Sequence, residues 1–324
     1  MTSSVCRHDP PGPLSLSRRR ALGGALALGL LAGRAVAADD PLPVTEVAPG
    51  VFVFHGAHEE ATAANLGGIA NLGFIAGGEA VAVVDTGGSA AEGRRLLATV
   101  RQRTALPVRF AIDTHFHPDH VLGNAAFAGP DTTIVGHANL RRGLAARAGT
   151  YLGGLRRALG DAAAGTEIVP PTLLVRDRLS LDLGGRRLEL RAWPPAHTDS
   201  DLTVLDTATG TLFAGDLVFL ERVPAIDGSL RGWLDVIAGL RQESGIARVV
   251  PGHGPVSATW PDALDDEERY LRLILTETRA ALAAGRSLDQ AVATVGRSER
   301  GRWLLFDDYN DRNVATAYTE LEWE

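Results

Sequence analysis

Thr114-His115-Phe116-His117-Pro118-Asp119-His120 sets three imidazoles and a carboxylate within six residues, directly after the apolar run Phe110-Ala111-Ile112. Imidazole and carboxylate are the preferred ligands of borderline divalent metals such as zinc. On an extended segment, side chains two apart share a face, so His115 and His117 can grip one metal. Asp119 and His120, past the Pro118 turn, can face a second. A lone His-x-His would read as a surface run of histidines. The downstream sequence argues against that here.

Working outward, three further candidates stand in similar settings. His197 lies in Pro194-Pro195-Ala196-His197-Thr198-Asp199-Ser200-Asp201, between two alternating apolar segments. Asp216 is expected to end the strand Thr211-Leu212-Phe213-Ala214 at a Gly215-Asp216 turn, and His253 follows Val249-Val250-Pro251-Gly252. Each is thereby delivered at a strand end, where loops carry chemistry on a rigid scaffold. Five of the nine histidines fall in this constellation, and with the two aspartates they make a two-metal site the simplest account. Taken singly, each would be an ordinary loop residue.

The His-x-His-x-Asp-His run, the distant histidine, the Gly-Asp turn and Gly252-His253-Gly254 resemble, in order, the motifs of the metallo-β-lactamase superfamily. The resemblance covers roughly residues 51–254. It implies a four-layer αββα sandwich, with His115, His117 and His197 on one zinc, Asp119, His120 and His253 on the other, and Asp216 bridging. It also implies a supporting role for Asp85, behind the ligands, in Val83-Val84-Asp85-Thr86-Gly87. A carboxylate there accepts a ligand histidine's outer proton and fixes its tautomer. Gly56-Ala57-His58-Glu59-Glu60, Asn71-Leu72-Gly73-Phe74-Ile75, Asp85-Thr86-Gly87-Gly88-Ser89, the His197–Val204 segment and Asp227-Gly228-Ser229-Leu230-Arg231-Gly232-Trp233 look like the branch called quinoprotein relay system zinc metallohydrolases. That narrower likeness implies a periplasmic protein linked to a quinoprotein dehydrogenase. It brings no substrate.

The whole chain narrows the class. At 324 residues, 45% hydrophobic and 22% charged, it has the composition of a globular protein with ample core. A net charge of −7 argues against a nucleic-acid partner, which needs a basic face. All 32 basic residues are arginine, so Schiff-base and other lysine chemistry is excluded. Arg18-Arg19-Arg20, an apolar stretch over 21–32 and Ala35-Val36-Ala37 read as a twin-arginine export signal over residues 1–37. The apolar stretch is too short to span a bilayer, so no stable membrane anchor is expected after cleavage. Cys6, the single cysteine, falls inside that signal, leaving neither disulfide nor thiolate ligand. The ligand set is then like that of glyoxalase II and the lactonases rather than that of the Cys-using zinc β-lactamases.

The expected domain spans 44–256. Short strands run over 51–54, 72–75 and 81–84, with helices at 90–103, 139–147 and 230–243. Two hairpins turn at Gly184-Gly185 and Thr209-Gly210, and a Gly- and Ala-rich insert over 149–171 stays unassigned. Residues 257–324 read as a helical extension packed on the domain, with Trp303-Leu304-Leu305-Phe306 and Trp323 as packing residues and no motif. His58 and Glu59, with Glu60, are expected at the substrate rim, while Arg141-Arg142 and Arg156-Arg157 read better as solvated helix faces. The favoured function is a periplasmic dinuclear zinc hydrolase, using a metal-bridging hydroxide on a small ester, thioester, lactone or amide. Two alternatives stay open: an oxygenase with one Fe2+, resembling the persulfide dioxygenases, and a non-catalytic partner of a quinoprotein dehydrogenase.

Overall fold

Val81-Ala82-Val83-Val84 is an unbroken apolar run because both of its faces are covered. Val81 and Val83 join a cluster with Leu96 and Val100, while Ala82 and Val84 join another with Leu188 and Val204. Side chains alternate across a strand, so these two sets define opposite faces of one sheet. The computed structural model describes residues 40–324, and the export segment expected over 1–37 lies outside them. The first sheet takes β1 (Val44–Ala48), β2 (Val51–Phe54), β3 (Leu72–Ala76) and β4 (Val81–Val84). After helix α1 (Ala90–Arg103) come β5 (Val108–Ile112), the one-turn helix α2 (Pro118–Val121), β6 (Thr133–His137), helix α3 (Leu140–Leu159) and β7 (Leu173–Val175). These seven strands lie side by side in chain order, antiparallel through β4 and parallel from β4 to β7.

The second sheet holds β8 (Arg178–Asp182), β9 (Arg187–Ala192), β10 (Leu202–Asp206) and β11 (Thr211–Phe219), then, after helix α4 (Leu230–Leu240), β12 (Arg248–His253) and β13 (Ala258–Thr259). Only the β11–β12 pair is parallel. The β8–β9 hairpin turns through Gly184 and Gly185, both at positive φ, and Asp182 Oδ1 accepts both of their N–H groups. Phe213 and Val250 face the first sheet, whereas Leu212, Ala214 and Val249 face outward onto α4 residues such as Trp233 and Ile237. Helices α5 (Asp265–Ala283), α6 (Leu288–Thr294) and α7 (Phe306–Leu321) contribute Leu271, Ile274, Ala291 and Val314 to that same outer cluster. The layers are thus helix, sheet, sheet, helix, with a helical carboxy-terminal extension. Among the described residues, no helix is long and apolar enough to cross a membrane.

Three expectations need correction. The helix foreseen over 139–147 continues to Leu159, absorbing half of the 149–171 insert. Its five glycines and alanines over 143–149 masked the periodicity, yet Leu140, Leu144, Leu155 and Leu159 keep one buried face. Strand β11 does not stop at Asp216 but runs on to Phe219, buried throughout because sheet and helices cover both sides. Trp303 and Phe306 do pack inside, but Leu304 is 48% and Trp323 85% exposed, so neither is a packing residue.

Glu92, in the first turn of α1, is buried where its Oε2 accepts the Gly88 N–H at 2.7 Å. Burial pushes its carboxyl up from 4.5 to about 8. The folded chain therefore holds a proton there that the unfolded chain releases above 4.5, so stability is full below that pH and is lost as pH rises through 8. Glu92→Gln, the neutral isostere, should flatten the fall in urea midpoint of chelator-treated protein between pH 5 and pH 8. An unchanged slope would show that Glu92 stays ionised in the fold.

Candidate metal centre

The candidate ligands follow β5, sit on the loop between β9 and β10, lie within β11 and end β12. His115 and His117 follow β5, and Pro118 at the first position of α2 turns the chain so that Asp119 and His120 face back. Pro suits that position because its missing N–H has no helical partner there. His197 sits between β9 and β10, Asp216 within β11 and His253 at the end of β12. Gly215 has φ of +54°, with a register shift against β12, and this bulge aims Asp216 inward. A Cβ at Gly215 would meet the Thr114 side chain at 2.6 Å, and one at Gly252 would stand 2.0 Å from Asp216 Oδ1. Only glycine fits either place.

The outer nitrogen of each of the five imidazoles is already engaged. His197 Nδ1 donates to the Ala225 carbonyl (2.6 Å) and His253 Nδ1 to the Ile69 carbonyl (2.9 Å). His120 Nδ1 donates to Asp85 Oδ2 (2.8 Å) and His117 Nε2 to Asp227 Oδ2 (3.0 Å). Thr114 Oγ1 gives its proton to Asp85 Oδ2 at 2.8 Å, so it accepts from His115 Nδ1 at 3.0 Å. Carbonyls and carboxylates only accept, so each outer nitrogen carries the proton. In the neutral ring the inner nitrogen is then a bare lone pair, the state a metal needs.

Those inner nitrogens converge. Ligand atoms of His115, His117, His197 and Asp216 form one group and those of Asp119, His120 and His253 a second, each within 4.8 Å of one another. Asp216 joins the two. Its Oδ2 lies 3.3 Å from His197 Nε2 and 3.4 Å from His253 Nε2, and its Oδ1 lies 3.2 Å from His120 Nε2. His117 Nδ1 and His197 Nε2 face each other at 2.9 Å with both outer protons spoken for. Two lone pairs at that separation repel unless a cation lies between them. Moreover, His115 Nε2, His120 Nε2 and Asp216 Oδ1 are buried without a hydrogen-bond partner among the described residues. Native interiors rarely leave such atoms unsatisfied. The donor set fits divalent metal.

Without metal, the charges divide the rings into two kinds. Burial, followed by the neighbouring His120, holds His115 well below the usual imidazole range, and burial takes His197 down to about 3. Burial would lower His120 and His253 as well, but carboxylates led by Asp216 outweigh it and raise both. Asp216 is held well below the ordinary carboxylate range, against its own burial, by His253, His120 and His115. Asp85 lies directly behind the cluster, 2% exposed and at φ of +56°. Aspartate is among the few side chains that tolerate that conformation.

A cavity of about 360 Å3 opens over the cluster, lined in part by His117, Asp119, Asp216 and His253. The rim differs from expectation. Glu60 lines the cavity, whereas His58 turns to Glu221 at 3.2 Å and Glu59 accepts from Asn65 at 3.2 Å. Arg142 pairs with Asp199, and Arg156 and Arg157 are exposed outside the cavity. Instead Arg222 and, from α7, Tyr309 and Arg312 reach it. Sequence reading missed these three, and the helical spacing of Tyr309 and Arg312 is their one signal. Asp227, quoted only within a motif, is the partner that orients His117.

Comparison with known proteins fits this geometry. The sequence model described as Metallo-beta-lactamase superfamily matches residues 66–253, more than half of the chain. A linear primary-alkylsulfatase of Pseudomonas sp. (strain ATCC 19151) is 36% identical over 62 residues, 19% of this chain and 12% of that protein. The chain thus matches only a small part of that relative's length. The solved sec-alkylsulfatase Pisa1 from Pseudomonas sp. superposes at a TM-score of 0.68 with 15% identity, over 86% of this chain and 50% of its own. A metallo-beta-lactamase from Pontibacter korlensis superposes at 0.57 with 20% identity, over 71% of this chain and 99% of its own. At these identities the solved structures bear on the fold alone.

Proposed function

Since the chain belongs to the metallo-beta-lactamase superfamily, we propose that it is a metal-dependent hydrolase that acts on a small ester, thioester, lactone or amide with two zinc ions. The observation that carries this reading is the convergence of five inner imidazole nitrogens on two carboxylates, with every outer nitrogen fixed. His115, His117, His197 and Asp216 would hold one metal, and Asp119, His120 and His253 the other, with Asp216 shared. A metal pair held so supplies a Lewis acid for the electrophile's oxygen and a water whose pKa falls to ~7. Asp119 and Asp216 would offset the positive charge of such a pair, and their carboxylate oxygens would accept hydrogen bonds from the water it activates. Asp85, Asp227 and Thr114 keep three of the rings from rotating. No serine or cysteine nucleophile is required.

The complete second group, Asp119, His120 and His253, favours this reading over a single-iron oxygenase. Export to the periplasm and association with a quinoprotein dehydrogenase belong to the same proposal, supported by the residue 18–37 signal and the motif likeness. Elemental analysis of purified protein, followed by an ester, thioester and lactone panel, tests it. Two zincs per chain with chelator-sensitive hydrolysis are expected. One iron per chain with thiol-dependent oxygen uptake would replace the reading by the oxygenase, and a dehydrogenase retained in pull-down without any turnover would replace it by an accessory role.

A further inference from the structure

Arg222 is 4% exposed, lines the cavity over the metal centre, and has no carboxylate at ion-pair distance among the described residues. Its Nη2 donates to Tyr309 Oη at 2.7 Å. Its Nη1 lies 3.3 Å from His253 Nδ1, but that nitrogen gives its own proton to the Ile69 carbonyl and has no lone pair left to accept. Negative charge reaches the guanidinium only through a relay, since Tyr309 Oη donates to Glu60 Oε1 at 2.8 Å on the exposed rim. Asp119 and Asp216 are taken up by the histidines. A buried guanidinium without a carboxylate is costly to keep, and its planar fork suits a carboxylate or a sulfate.

Two more observations give the ligand its shape. Arg312, exposed on α7, also approaches the Tyr309 ring, its guanidinium carbon 5.6 Å from the centroid against 5.0 Å for Arg222. Two cations therefore stand against one phenol at the cavity. The α3 wall is apolar, with Tyr151 and Leu155 from that helix beside Leu122 and Ala61. Positive charge lies on one side and hydrocarbon on another. A volume of about 360 Å3 falls in the range of small-molecule sites.

We propose that the cavity selects amphipathic monoanions: a carboxylate or sulfate head is held by Arg222 and Arg312, and an apolar chain lies along Tyr151, Leu155 and Leu122. This names the substrate class of the hydrolase read above and rests on that reading for the chemistry, though not for the binding. The carboxy-terminal helix thereby becomes part of the specificity apparatus, because Tyr309 and Arg312 both come from α7.

Calorimetric titration of the full chain, chelator-treated and zinc-loaded, tests this with decanoate, decyl sulfate, decyltrimethylammonium and acetate, each below its micellar concentration. Both decyl anions should bind the chelator-treated protein at least ~10-fold more tightly than the decyl cation or acetate. Decanoate against decyl sulfate tells which head is preferred. Arg222→Gln should weaken both anions ~10-fold or more, the range of a charge-assisted hydrogen bond. Arg222→Lys should restore part of the loss. Should a variant at this buried position fail to fold, the exposed Arg312→Gln carries the test and should weaken anions in the same direction by a smaller factor. Equal affinity for the decyl anions and cation, or anion binding unmoved by Arg312→Gln together with any folded Arg222 variant, overturns the proposal. Metal content measured on the same samples separates the two claims. Two zincs without anion preference would leave the hydrolase and remove this selectivity, whereas anion preference without metal would do the reverse.

Discussion

Asp216→Asn should leave a folded protein that keeps at most one of its two metals after dialysis and loses most of its hydrolytic activity. The substitution preserves size and one carbonyl oxygen, so the buried β11 bulge between Gly215 and Gly252 has no new volume to accommodate. What changes is charge and donor character. Asp216 Oδ2 faces His197 and His253 at 3.3 and 3.4 Å, and Oδ1 faces His120 at 3.2 Å. An amide would turn an NH2 group towards one of these nitrogens in place of an anion. Even partners of ligands, one bond further out, cost about 10–100-fold in metal affinity when removed. A ligand shared by both groups should cost at least ~100-fold for the weaker metal on that scale. Elemental analysis after dialysis and turnover on the best ester of the panel check this. Two retained zincs with undiminished turnover would remove Asp216 from the bridging position.

How much of this was legible before the structure depends on how local each signal is. The ligands announce themselves because rare side chains, His and Asp, follow apolar strands at turns, and the Gly215-Asp216 and Gly252-His253 pairs mark where the backbone must pass closely. Strand faces were readable from alternation, as in Leu179 to Leu190. Helix α3 was half missed because its interior is Gly and Ala, which carry little periodicity, and only the leucines at its two ends hold the pattern. The rim was misplaced for a different reason. In the loop after β2, the turn closed by Glu59 N–H on the Ala57 carbonyl decides which of three adjacent polar residues faces the cavity, and it is Glu60. Arg222 and Arg312 lie 90 residues apart and meet only through the packing of α7 near the β11 end, which no window of sequence contains.

Asp85 offers the second large effect, and it separates a positioning residue from a ligand. Its Oδ1 accepts the Thr114 N–H at 2.8 Å, and its Oδ2 accepts both Thr114 Oγ1 and His120 Nδ1, each at 2.8 Å. One carboxylate thus fixes His120 directly and His115 through Thr114. In Asp85→Asn, the Oδ1 role passes to the amide oxygen and an NH2 group replaces Oδ2. That group donates, so the favoured partner at His120 is an unprotonated Nδ1. The proton moves to Nε2, which then points hydrogen rather than a lone pair into the centre. Metal affinity in the Asp119, His120 and His253 group should fall about 10–100-fold, and excess zinc should restore activity, as it could not if Asp85 itself met the substrate. Asp85→Ala should do more harm, because it strands three buried donors at about 1–3 kcal/mol each and puts alanine at φ of +56°. Nitrogen NMR of the His120 ring, recorded on chelator-treated protein at a pH alkaline enough to leave the ring neutral, reads the tautomer. An unchanged Nδ1–H in Asp85→Asn, together with unchanged zinc affinity, would show that Asp85 does not set the ring.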